Sequence, residues 1–176
     1  MAIFDDGDFD NLVIDDVTRS SHFLCNCLVK WFEQENCEDG WYYDTRNTVE
    51  DFMRVIARKL GFLLDDEIYC RYIVEPSEIS SKQFDMLINN DGDPVNAFTK
   101  ETINMYMSWF GKERPNPEWI TQVRDAYVAM ARIVATRLDF TIIDEKPRKK
   151  HRIETSDEEY SRGQKTIDEF LGKNDS

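Results

Sequence analysis

Two histidines and four cysteines in 176 residues are the stock from which this sequence can build nucleophilic or soft-metal chemistry. His22, Cys25, Cys27 and Cys37 fall close together, and Cys70 would have to complete any set of four cysteine ligands from a distance. Structural zinc favours cysteines two to four residues apart, yet no Cys-x-x-Cys pair occurs. Cys25 and Cys27 stand two apart in a stretch of helical period, so they point to different faces. The four read as reduced, buried free thiols. Carboxylates are plentiful, and Asp15-Asp16 with Asp65-Asp66-Glu67 would be the raw material of a two-metal nuclease; they read as ordinary helix-end or surface acids. Asn89 to Asp93 has the composition of a calcium loop. Aligning Gly92 with the required glycine, however, puts Leu87 at the first ligand position and Phe98 where a bidentate Glu belongs. No phosphate-binding glycine loop, nucleophile elbow or His-Glu-x-x-His run is present. One of the two histidines, His151, lies in a polar stretch. The expectation is no catalytic residue, no metal and no cofactor.

The other chemistry is recognition. Near the end of the chain, after a polar stretch, apolar side chains return in Gln164-Lys165-Thr166-Ile167-Asp168-Glu169-Phe170-Leu171. Three residues per turn in a 3₁₀ helix bring Ile167 and Phe170 above one another with Leu171 beside them, a three-pronged apolar plug. Thr166 is placed to cap that turn, and Glu169 three residues later completes a capping box. Asp168 and Glu169 also suit the positive end of the turn. Three such side chains are too few for a core and call for a partner, or for a place against the chain's own domain. Burying them at about 1.5 to 3 kcal/mol each, less the cost of ordering, corresponds to micromolar affinity.

This segment resembles the PCNA-interacting peptide, or PIP box: a Gln, two residues, an aliphatic residue, two residues and a usually aromatic pair. Gln164 matches the Gln, Ile167 the aliphatic and Phe170 the first aromatic, whereas Leu171 stands where a second aromatic is usual. The resemblance covers about eight residues and leaves the rest of the chain unassigned. It implies that Gln164 enters a small polar pocket of a PCNA-type sliding clamp and that Ile167, Phe170 and Leu171 fill a hydrophobic pocket beneath the clamp's interdomain loop. It also implies an archaeal or eukaryotic host, or a virus of either.

The elements that carry these residues can be read from periodicity. Residues 1–16 read as an acidic N-terminal arm in which Phe4, Phe9, Leu12, Val13 and Ile14 alternate with acids, as a short edge strand, a docking peptide or a disordered arm that folds back would. A helix is expected from Val17, with Phe23, Leu24, Cys27, Leu28, Trp31 and Phe32 at spacings of three and four, ending near Gln34 to Gly40. After a turn-like aromatic stretch (Trp41, Tyr42, Tyr43), Thr48 is expected to cap a second helix that Gly61 ends. Ile68 to Val74 has strand composition, closed by Pro76. Further helices are expected over Ser80 to Asn89, from Thr99 to Gly111, and from Pro117 to about Leu138, followed by a short strand at Phe140 to Ile143. The fold class is therefore mainly α: a compact domain of about five helices over residues 17–143, with one or two short strands. Residues 144–163 read as a charged, disordered linker, and residues 164–176 as the clamp-binding peptide.

Lys146, Arg148, Lys149, Lys150 and Arg152 in the linker fit a nuclear-import signal, a contact to DNA passing through the clamp, or a solvated basic stretch. Ser156 precedes an acidic run that would suit an acid-directed kinase. Hydrophobic residues at 41% suffice for a core, while a net charge of −13 sets the protein against binding DNA except indirectly. The aromatic groups Trp31-Phe32, Trp41-Tyr42-Tyr43 and Trp109-Phe110 read as core rather than as a base-stacking platform. No apolar run approaches the roughly 18 residues of a membrane span, and the acidic start is unlike a signal peptide. An intracellular protein is expected, nuclear in a eukaryote and cytoplasmic in an archaeon. The leading reading is a non-catalytic adaptor of replication or repair that tethers an unidentified protein partner of the helical domain to the clamp. A clamp inhibitor or clamp-coupled transcription regulator, viral sources included, is the alternative. A clamp-recruited carboxylate-metal nuclease is the third.

Overall fold

A computed structural model describes residues 2–4, 6–62, 72–74, 76–89 and 94–144. They form five helices and four short strands: β1 (Ala2–Phe4), α1 (Asp6–Trp31), α2 (Asp39–Lys59), β2 (Tyr72–Val74), β3 (Ser77–Ser80), α3 (Ser81–Asn89), α4 (Pro94–Phe110), α5 (Pro117–Arg137) and β4 (Phe140–Ile143). The domain is mainly helical, as its periodicity indicates. α5 lies at the centre, packed against α1, α2 and α4, and α1 and α2 form an antiparallel hairpin. Nearly every turn of α5 contributes to the core: Val123, Ala126, Tyr127, Met130, Ala131, Val134, Ala135 and Leu138 are all fully buried. Around it close Phe9, Leu24 and Leu28 of α1, Phe52 and Ile56 of α2, and Phe84 and Ile88 of α3.

α1 begins at Asp6 rather than at Val17, so residues 6–16 of the expected arm are helix. The reason is burial. Phe9, Val13 and Val17, four apart, form one inward stripe at 2% exposure or less, which outweighs the poor helix propensity of the acids between them. α2 begins at Asp39 and takes in Trp41 to Tyr43, so Thr48 sits inside the helix and donates its hydroxyl to the Asp44 carbonyl at 3.0 Å. α4 likewise begins at Pro94, with proline in the first turn where its missing N–H costs nothing, rather than at Thr99. Thr99 instead donates to the Val95 carbonyl at 2.7 Å. In each case the hydroxyl satisfies itself on the preceding turn instead of capping.

The punctuation read from sequence marks the helix ends well. Gly61 and Gly111 take positive φ, +99° and +63°, just past α2 and α4, as a left-handed terminus requires. Asn116 caps α5 by accepting from the Glu118 amide at 3.0 Å, with Pro117 at the first position. β4 forms where strand was expected. Its partner is β3, parallel, with Ser77 opposite Phe140 and Ser80 opposite Ile143. β1 pairs antiparallel with β2, Ala2 opposite Val74. No helix among the described residues is long and apolar enough to cross a membrane.

Candidate functional site

Gln164, Ile167, Phe170 and Leu171 lie outside the described residues, as do Lys146, Arg148, Lys149, Lys150, Arg152, Ser156, Cys70, the Asp65-Asp66-Glu67 run and Asn90 to Asp93.

The carboxylates do not converge. Among the described residues no three His, Cys, Asp or Glu side chains come together as a metal site. Asp16 is not the surface acid its neighbourhood in sequence implies. It is 1% exposed and receives two hydrogen bonds from Arg137, Nε at 2.9 Å and a terminal nitrogen at 3.2 Å. This fork ties the middle of α1 to the end of α5 and is a structural ion pair. Asp10 is bound in the same way by Arg54 of α2, at 2.6 and 3.2 Å. Both pairs hold helices together and commit the Asp10 and Asp16 carboxylates to their arginines.

Beside the Asp10 pair, a cleft of about 90 Å³ opens between α1 and α2, with Phe9, Val13 and Val17 as its floor and Asp10, Arg46 and Glu50 at its rim. Arg46 is already committed to Glu50 at 3.2 Å, Thr18 at 3.0 Å and Tyr42 at 3.3 Å. With its cations and anions paired to one another, the cleft has room for an aliphatic side chain but no convergent set of reactive groups. Nothing in the sequence signals this cleft or its ring of paired charges, because residues 9–16 read as an arm ahead of a helix that starts at Val17.

Aromatic residues gather where α1 and α4 end and α2 and α5 begin. Trp31 stacks on Trp119 with centroids 5.2 Å apart, and Phe32 on Phe110 at 4.3 Å. Trp41 meets Phe110 at 5.0 Å and Trp109 at 6.3 Å. Trp31 donates its indole N–H to Gln122 at 3.0 Å, and Lys112 lies 5.6 Å over the Trp119 ring. These rings use their faces on each other, so they close the end of the bundle and do not present a stacking platform for bases. Tyr43 is the exception, 64% exposed.

The thiols divide by face, as their spacing implies. Cys25 is buried and Cys27 partly so. Burial pushes the Cys27 thiol up to about 11, against a smaller opposing effect of Lys30. Cys25 is raised further, first by burial and then by Cys37 of the turn before α2.

Charge separates along the chain. Residues 1–144 hold 27 Asp and Glu against 14 Lys and Arg, which is the entire −13, while residues 145–176 hold eight of each. The domain as a whole is thus a poor ligand for a phosphate backbone. No family model, curated protein or solved structure matches this chain.

Proposed function

We propose that the protein is a sliding-clamp-binding accessory or adaptor of DNA replication or repair, docked through Gln164, Ile167, Phe170 and Leu171. The observation that carries this reading is the spacing of those four residues, with a capping box built into the same turn. The charge division supports it: an acidic domain reaches DNA through a partner that already encircles it, not directly. Joining the domain to the clamp raises the local concentration of whatever the domain binds, an effect of linkage that requires no further contact. The compartment follows the clamp: the nucleus in a eukaryotic host and the cytoplasm in an archaeal one.

The test is calorimetric titration of the full-length protein into human and archaeal PCNA, with an Ile167→Ala/Phe170→Ala double mutant beside it. Saturable micromolar binding that the double mutant loses is expected. If neither clamp binds and the double mutant melts lower than the parent, the segment packs on its own domain and the proposal fails. The −13 charge of the domain favours a second reading, in which the docked domain blocks the DNA path. Suppression of clamp-stimulated DNA synthesis in vitro would select that inhibitor over an adaptor.

A further inference from the structure

β4 is the last described element of the chain, and its pairing with β3 leaves one edge open. It reads Phe140-Thr141-Ile142-Ile143, four residues that favour strand. Ser77 pairs with Phe140 in the parallel register, and its amide donates to the Asp139 carbonyl at 3.0 Å. Alternation along the strand then turns the backbone groups of Thr141 and Ile143 towards β3 and those of Phe140 and Ile142 away from it. Among the described residues β3 is the sole strand neighbour of β4. The side chains divide between the two faces: Phe140 and Ile142 pack on the core, whereas Thr141 and Ile143 face outward, Ile143 at 43% exposure. Natural edge strands commonly carry a charge, a proline or a bulge that discourages further pairing. β3 has such protection, with Pro76 just before it and Glu78 inside it. β4 has neither charge nor proline. One edge of this sheet is guarded and the other is left fit for a third strand.

We propose that the open edge of β4 is a docking site for an extended segment of a partner protein, rich in β-branched residues and flanked by Lys or Arg. The partner strand exchanges backbone hydrogen bonds with Phe140 and Ile142 and lays alternate side chains beside Thr141 and Ile143. Charge identifies the partner. Asp139 and Asp144 bracket β4, both exposed, and neither has an ion-pair partner among the described residues. Cationic flanks on a bound strand meet both acids. A second copy is disfavoured for the same reason. Paired antiparallel about Ile142, it sets Asp144 of each chain next to Asp139 of the other, and like charges across a strand pair destabilise it. The chain's own continuation is a poor third strand, since Lys146 to Arg152 holds Pro147 and no β-branched residue. The site is separate from the Gln164 to Leu171 segment and gives the helical domain a partner of its own, with or without a clamp.

The probe is the peptide acetyl-Lys-Val-Thr-Val-Thr-Val-Lys-amide, titrated into isotope-labelled full-length protein and followed by amide chemical shifts. Because strand addition is carried by the backbone, a generic strand former is a fair test. Saturable shifts centred on residues 139–144 are expected, with nuclear Overhauser contacts from the peptide backbone to the Phe140 and Ile142 amides. N-methylation of two adjacent inner residues removes a donor from each edge of the peptide and is expected to abolish them. Asp139→Asn/Asp144→Asn is expected to weaken binding about fivefold at low salt; Asn also tolerates the positive φ of +66° at position 139. Shifts that survive N-methylation would show an apolar contact without strand pairing and overturn the proposal, as would unchanged 139–144 amides at millimolar peptide. A concentration-dependent dimer in sedimentation, with contacts between copies at Ile142 and no peptide binding, would assign the edge to a second copy and overturn it too. Every outcome is read at β4, so it is independent of the clamp titration.

Discussion

Tyr127 and Thr102 illustrate what a single buried polar contact does in this core. The two hydroxyls lie 2.6 Å apart with both side chains buried, and burial raises the phenol above its ordinary range. Tyr127→Phe leaves the Thr102 hydroxyl without that partner and is expected to cost about 1 to 2 kcal/mol, read as a lower urea midpoint at unchanged slope. Tyr127→Phe combined with Thr102→Val removes both hydroxyls together and is expected to cost less than the sum of the two single changes. Cys27 gives the pH prediction. With its thiol near 11 instead of the usual range around 9, iodoacetamide is expected to alkylate it about a hundredfold more slowly than an unburied cysteine at pH 8. The rate should keep rising tenfold per pH unit to about 11, in a Cys25→Ser/Cys37→Ser/Cys70→Ser background where Cys27 alone remains. A plateau near pH 9 would mean that the thiol is solvated. The same shift makes the folded state the better proton binder, so this thiol's contribution to stability is full below about 9 and falls as pH rises towards 11.

Between elements, the Asp16–Arg137 fork decides how α1 sits on α5. Asp16 is buried while Arg137 keeps 45% of its side chain exposed. Asp16→Ala therefore frees a guanidinium that water can reach. The expected loss is about 1 to 3 kcal/mol, below the cost of stranding a fully buried charge, and chemical denaturation would measure it. Arg137→Ala leaves the buried carboxylate unpaired and is expected to cost more. Equal losses from the two substitutions would mean that desolvation of Asp16 is not what separates them. The parallel pairing of β3 with β4 works at the same scale. It closes the chain end of the core by setting Ile79 opposite Ile142, both packed against the core cluster.

For the molecule as a whole, the described core runs from Phe9 to Leu138, while the side chains proposed to bind the clamp come after it in sequence. Folding and docking are thus expected to be separable. A chain ending at Asp144 should keep its helical circular dichroism and melt within about 2 °C of the full-length protein, yet lose clamp binding. A fall of 5 °C or more would place residues 145–176 in the stability of the domain and count against an independent docking segment. The truncated chain would also retain the full −13, so neither it nor the full-length protein is expected to shift DNA electrophoretically at low salt.

Much of this fold is legible in the sequence wherever the signal is local. Apolar residues three and four apart mark α3, α5 and the second half of α1, and Gly61, Gly111 and Pro117 mark ends, because backbone sterics and solvent exposure act over a few residues. The proposed recognition segment rests on the same kind of information, the spacing of four side chains. The rest depended on partners distant in sequence. An acid-rich stretch became the first turns of α1 because Phe9, Val13 and Val17 found α2 and α5 to pack on. Asp16 became a core residue because Arg137 arrives from the far end of the domain. Tertiary structure decided these two because burial and charge pairing depend on which surfaces meet, and local periodicity carries no record of that.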